Sequence, residues 1–301
     1  MSGSSRDYTE MPGIGERRWV RMIKSRKNIP IRAVFYVVIL IFVMIQVYPI
    51  FWVICSSLKT PDEMTYTAQY ALPSGFYLGN YISALTISSI PRYFLNSTVV
   101  AVLTLLGIVV LGCPVAFVIS KVKVKYANAL MAFFLFGMME PIFSCLIPMF
   151  QIYNRIGLRN TYWALVLPQI GFGLPMCIYL YTGFFKFMPD SLLEAAVIDG
   201  ATMGTTFRKI VVPMAKNTTM TVLTYNFVFV WNEFTYANTF ISSSDMKTLP
   251  IGLNDFVGQF GRVDWGSTFA AIVISILPTL IVYFILNKNI IEGMAAGAVK
   301  S

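Results

Sequence analysis

Six stretches of twenty residues or more, almost free of charge, recur along the chain near positions 33–55, 94–119, 127–149, 162–185, 215–235 and 266–286. An α-helix needs about 20 apolar residues to cross a hydrocarbon core roughly 30 Å thick, and a backbone in that medium must satisfy its own hydrogen bonds. The pattern predicts an all-α, polytopic membrane protein with six transmembrane helices. Composition agrees, since 56% of the 301 residues are hydrophobic and only 12% charged, with mean hydropathy +0.68, a balance that soluble domains do not show.

The residues between the spans orient them. Of the 23 Lys and Arg, 17 fall in segments on the same alternate side as the N-terminus and six on the other. By the positive-inside rule both termini are expected in the cytoplasm. The net charge of +9 is thereby a topology signal that favours membrane lipid as surroundings, not a nucleic-acid footprint. Residues 1–32 hold eight Lys or Arg against three acids and form the basic cytoplasmic segment; 33–286 form the membrane domain and 287–301 a flexible cytoplasmic tail. The first apolar run is too long and too late for a cleavable signal, so the first span is expected to be retained.

Several chemistries are excluded by residue type. The chain has no histidine, which removes zinc–histidine sites, Ser-His-Asp triads and histidine proton relays. It has no G-x-x-x-x-G-K-[ST] loop, so it is not expected to bind ATP itself. Cys55, Cys113, Cys145 and Cys177 lie in or at the ends of spans without C-x-x-C spacing and read as packing residues. Asn96-Ser97-Thr98 matches a glycosylation sequon but stands at a span boundary, where no glycan is expected.

The loop at 186–213, between spans four and five, is a polar island on the cytoplasmic side. Ser191 and Glu194 have capping-box spacing, which predicts a short helix from Leu192 that exposes Ala195, Ala196 and Val197 and ends at Gly200. A second short helix follows with Thr202 as N-cap, carries Phe207, Ile210 and Val211 on one side, and is interrupted at Pro213. Such a pair is too short to hold alone and gains stability by burying an apolar face.

Polar residues within spans are candidates for a translocation path. Glu140 stands about 13 residues into span three, roughly 20 Å from its cytoplasmic end, and Pro141 and Pro148 predict a break there. Span four carries the same device in Pro168, Gln169, Gly171, Gly173 and Pro175. Span five is the most polar, with Tyr225 and Asn226 past its middle and Trp231-Asn232-Glu233 at its outer end. The six path candidates are Glu140, Gln169, Tyr225, Asn226, Trp231 and Asn232.

The loop resembles the E-A-A-x-x-x-G…I-x-L-P signature of membrane subunits of bacterial ABC importers, here Glu194, Ala195, Ala196, Gly200, Ile210, Val212 in place of Leu, and Pro213. Pro141 with Ile147-Pro148-Met149-Phe150, Trp231-Asn232-Glu233-Phe234 and the tail Glu292 to Lys300 are similar to the maltose-type carbohydrate group. The resemblance implies a permease, not an enzyme, that carries an oligosaccharide inward by alternating access. Its implied partners are a second, different six-span subunit, two cytoplasmic ATPase subunits that bind the ATP and Mg, and an extracytoplasmic sugar-binding protein. It implies no cofactor on this chain and a bacterial inner-membrane location. It also makes the loop a coupling helix, with Glu194, Ala195, Ala196, Asp199, Gly200, Ala201, Phe207, Ile210 and Pro213 meeting the ATPase. An ion-coupled secondary transporter is the competing class, but it would call for several intramembrane acids and an internal repeat, and the spans supply only Glu140.

Overall fold

The computed structural model describes residues 29–86, 89–122, 124–256 and 263–298, with side chains from 33 to 285. It is helical throughout. Helix α1 (Ile29–Ser57), α4 (Ile90–Lys121), α7 (Tyr162–Phe187) and α14 (Trp265–Ala298) are the long ones. Among the described residues these four are long and apolar enough to cross a membrane. Shorter elements lie between them: α2 (Pro61–Tyr66), α3 (Gly79–Thr86), α5 (Ala127–Gly137), α6 (Ile142–Arg155), α8 (Asp190–Ile198), α9 (Met203–Thr206), α10 (Val212–Met214), α11 (Lys216–Trp231), α12 (Thr235–Phe240) and α13 (Leu249–Gly252). Residues 1–55 and 56–301 form separate compact units; the described residues of the first belong to α1, whose surface from Val34 to Ile45 is apolar and exposed.

Within the second unit, side-chain contacts fix the helix directions. Helices α4 and α7 run parallel: Tyr162 donates to Asn96 Oδ1 at 2.8 Å near their starts and Lys121 Nζ reaches the Met188 carbonyl at 2.6 Å at their ends. Close approach between them uses small residues, since a Cβ on Gly107 would meet Ile170 at 2.3 Å and one on Gly112 would meet Cys177 at 2.5 Å. Helix α11 runs antiparallel to α7, joined by Tyr181 to Thr219 at 2.8 Å. Helix α14 returns beside α11, where Trp231 Nε1 donates to the Ser275 carbonyl at 3.0 Å.

Because α4 and α7 are parallel, the chain between them must travel back the full length of the bundle. Helices α5 and α6 make that journey, starting beside Lys121 and ending where Tyr153 packs on Phe240 at 4.9 Å between ring centroids. They are bent by 89°, the break expected within span 127–149. Pro141 explains the break, as it has no N–H to continue the ladder and disfavours helical backbone at Glu140; Pro148 stays inside α6.

Three expectations are corrected. Helix α7 is continuous through Pro168 and Pro175, and Gln169 Nε2 donates to the Leu165 carbonyl at 3.0 Å, reinforcing the turn that Pro168 weakens. Helix α11 has 16 residues, shorter than the span drawn at 215–235, because a one-residue joint at Ala215 separates it from α10 and Asn232 closes it. The tail expected to be flexible from 287 continues α14 as helix to Ala298, in keeping with its run of alanines.

Two hydrophobic clusters occupy the two ends of this unit. One gathers Tyr93, Val100, Leu165, Trp231, Phe240 and Leu249; the other Ile108, Phe117, Tyr181, Phe185, Val211 and Val222.

Candidate functional site

The loop between α7 and α11 sits on the second cluster. Helix α8 begins at Asp190 behind Pro189, and no side chain caps it. The expected start at Leu192 with a Ser191–Glu194 box is therefore corrected: the helix starts two residues earlier, with Pro189 at its N-cap position. Lys121 holds this start, its Nζ 2.6 Å from both Asp190 Oδ1 and the Met188 carbonyl.

Gly200 ends α8 as expected, with φ +77°. The Ala201 amide bonds the Ala196 carbonyl at 2.9 Å and the Gly200 amide that of Val197 at 3.0 Å, the paired closure that a left-handed glycine permits. Thr202 then caps α9, its Oγ1 accepting from the Thr205 amide at 3.3 Å. From Phe207 to Val211 the backbone widens into a π turn, closed by the Val212 amide on the Phe207 carbonyl. Pro213, which cannot donate to Lys209, lies directly beyond it, as expected of a break.

The two faces of this element differ. Inward, Ala196, Thr206, Val211 and Ala215 are buried and the Phe207 ring packs on Phe117 of α4 at 5.3 Å. The expectation that Ala196 is exposed is overturned, because it lies one helical turn beyond Leu193, which packs against the second cluster, and so falls on the same inward side of α8. Outward stand Glu194, Ala195 and Asp199, with Val197 68% and Ile198 85% exposed and Met203 beside them. Ile210 and Ala201 are half-buried and Pro213 exposed. The result is a carboxylate next to an apolar knob, on an element that packs against the second cluster through Phe207, Val211 and Ala215.

The six path candidates do not converge. Gln169 and Asn226 are buried between helices; Asn226 Nδ2 donates to the Val222 carbonyl at 2.8 Å, and its Oδ1 would lie 2.9 Å from a Cβ on Gly173. Trp231 is buried and stacks on Phe227 at 5.5 Å. Tyr225 is exposed beside Phe229, and Asn232 is exposed with its amide on the Val228 carbonyl. Glu140 is exposed at the α5–α6 elbow, its Oε1 3.7 Å from Cys145 Sγ.

Other residues with defining contacts escaped the sequence reading. Glu63 forms a true capping box with Thr60 and also accepts from the Ser74 amide at 2.7 Å; the T-x-x-E spacing is its signal. Asn96, noticed only as a sequon, bonds the Asp245 and Lys247 carbonyls at 2.8 Å each. Asn160, at φ 56°, accepts from the Ser242 and Ser243 amides. The last two ties join positions 80 to 150 residues apart, and no local pattern announces them.

Residues 108–295 match the family described as binding-protein-dependent transport system inner membrane component. The chain is 34% identical over 270 residues to the multiple sugar-binding transport system permease protein of Streptococcus mutans, covering 88% of this chain and 96% of that one. It is 30% identical to the diacetylchitobiose uptake system permease protein of Streptomyces coelicolor, with 88% of each chain covered. The fold is similar to a chain in the crystal structure of a bacterial ABC transporter that imports the acidic polysaccharide alginate, with TM-score 0.78, 22% identity, and 88% of this chain and 98% of that one covered.

Proposed function

From the premise that the chain belongs to the binding-protein-dependent transport system inner membrane components, we propose that it carries an oligosaccharide into the cytoplasm by alternating access, driven by separate ATPase subunits. It is a multi-pass inner-membrane permease of the carbohydrate ABC importer kind. Five passes in the second unit, with the α5–α6 pair as one and α11 as another, together with α1 make six spans. The basic segments near Lys121, Lys125, Arg208 and Lys209 assign the α8 end to the cytoplasm. In this reading the domains are the basic segment 1–32, the membrane domain 33–286 with its coupling loop 186–213, and the tail 287–301.

The observation that carries the reading is the two-faced loop. Val197 and Ile198 are exposed beside Glu194, while the opposite side packs on the second cluster through Phe207, Val211 and Ala215. An apolar knob at the cytoplasmic end is suited to a groove on an ATPase subunit, and a rigid seat transmits its displacement. Partners in this reading are two ATPases that bind ATP and Mg, a second, different permease subunit, and an extracytoplasmic sugar-binding protein; the chain itself holds no cofactor. Tyr225, Asn232 and Glu140 are the path candidates open to a substrate, whereas Gln169, Asn226 and Trp231 act in helix packing.

The test is reconstitution of the whole importer with Glu194→Lys or Gly200→Val. Both variants are expected to insert and to lose transport together with sugar-stimulated ATP hydrolysis. Stimulated hydrolysis at the unaltered rate would refute the coupling role.

A further inference from the structure

Residues 33–57, 93–120, 126–139, 141–154, 162–185, 217–232 and 265–285 hold no Lys, Arg, Asp or Glu. Glu140 is the single charged residue set among them. Its depth follows from packing: a Cβ on Gly137 would lie 3.5 Å from Pro175, and Pro175 is midway along the 26-residue α7. The carboxylate is thus at the middle of the bundle, and it is exposed, between Phe136 (71%), Met139 (76%) and Phe143 (75%).

Two separate physical arguments keep this elbow away from lipid tails. An exposed carboxylate at mid-depth is tolerated where it faces protein or a water-filled cavity. The non-helical backbone at 138–141 leaves peptide groups that need the same surroundings. Resting on the reading of the chain as a saccharide permease, we propose that Glu140 faces the translocation path and selects saccharides that carry no acidic group. The carboxylate accepts hydrogen bonds from sugar hydroxyls and donates none. Phe136 and Phe143 offer flat apolar surfaces to the C–H faces of sugar rings. No cation at this depth, among the described residues, offsets Glu140, so a uronate or phosphate entering the path is repelled.

The test measures access and field without knowing the sugar. In the assembled importer, with Cys145→Ser and the other cysteines replaced by Ala, Met139→Cys serves as a reporter and Phe143→Cys as a second, should the first fail to assemble. Each is reacted with cationic trimethylammonioethyl and anionic sulfonatoethyl methanethiosulfonate, and the rate ratio is normalised to a free thiol. The expected normalised preference is about tenfold for the cation, falling to near unity when Glu140→Gln is added. A reporter that stays unreacted in the assembled importer, or a ratio that Glu140→Gln leaves unchanged, overturns the proposal. Co-purification of ATPase subunits and their hydrolysis, measured on the same preparation, separates this failure from failure of the importer reading.

Discussion

Glu63 shows how one half-buried carboxylate organises a loop. It accepts from the Thr60 amide at 2.8 Å and the Ser74 amide at 2.7 Å, and the bonds to Ser74, foremost, and to Thr60 lower its pKa from 4.5 to about 2. A carboxyl depressed in the folded state stabilises above its unfolded pKa and loses that contribution as pH falls through the folded one. Hydrogen-exchange protection of the Ser74 amide, corrected for intrinsic rate, should therefore hold down to about pH 4.5 and fall between there and about pH 2. In Glu63→Gln the step should vanish. A second residue-scale contrast concerns Lys121 and Asp190, whose side chains are 6% and 74% exposed. Asp190→Asn should change thermal stability by less than about 1 kcal/mol, as for other exposed pairs. Lys121→Met should cost more, about 1–3 kcal/mol, because it also strips the buried Met188 carbonyl of its donor. Equal losses in unfolding of the purified importer would contradict this division.

At the scale of elements, two glycines two residues apart on α7 should behave oppositely. A Cβ on Gly173 would meet Ile108 at 2.5 Å and Asn226 at 2.9 Å, whereas one on Gly171 meets nothing within 4 Å. Gly173→Ala should lower stability by about 1–3 kcal/mol through overpacking, and Gly171→Ala should be neutral or raise it by up to about 1 kcal/mol. Melting of the two detergent-solubilised variants decides it. These elements also show what the sequence made legible. Apolar length located α1, α4, α7 and α14, and Gly200 and Thr202 marked real boundaries, because each acts on the backbone beside it, whereas Pro213 lies inside α10 just past the π turn. Ser191 and Glu194 had the same spacing as Thr60 and Glu63, yet only the latter pair caps a helix. Pro189 decided the former, since a proline preset the turn before a serine could compete. Prolines likewise broke the ladder at Pro141 but not at Pro168 or Pro175; α7 packs against α4 and α11, and spacing alone does not reveal those neighbours.

For the whole molecule, the parallel setting of α4 and α7 is the fact that most constrains topology. It requires the α5–α6 pair to carry the chain back, with a bend of 89° at the break that Pro141 announced in the sequence. The candidate site divides the same way. Glu194, Gly200 and Phe207 were legible because the loop motif is contiguous, while the burial of Gln169, Asn226 and Trp231 depends on helices brought together from distant parts of the chain. The account as a whole joins a rigid bundle to an outside source of energy through one exposed knob. Its most direct test places a photoreactive residue at Val197 in the assembled importer and asks what it captures. The account predicts an adduct with the ATPase subunit, lost when the same residue is placed instead at buried Val211. Capture of lipid alone at Val197, with ATPase present and transport intact, would contradict it.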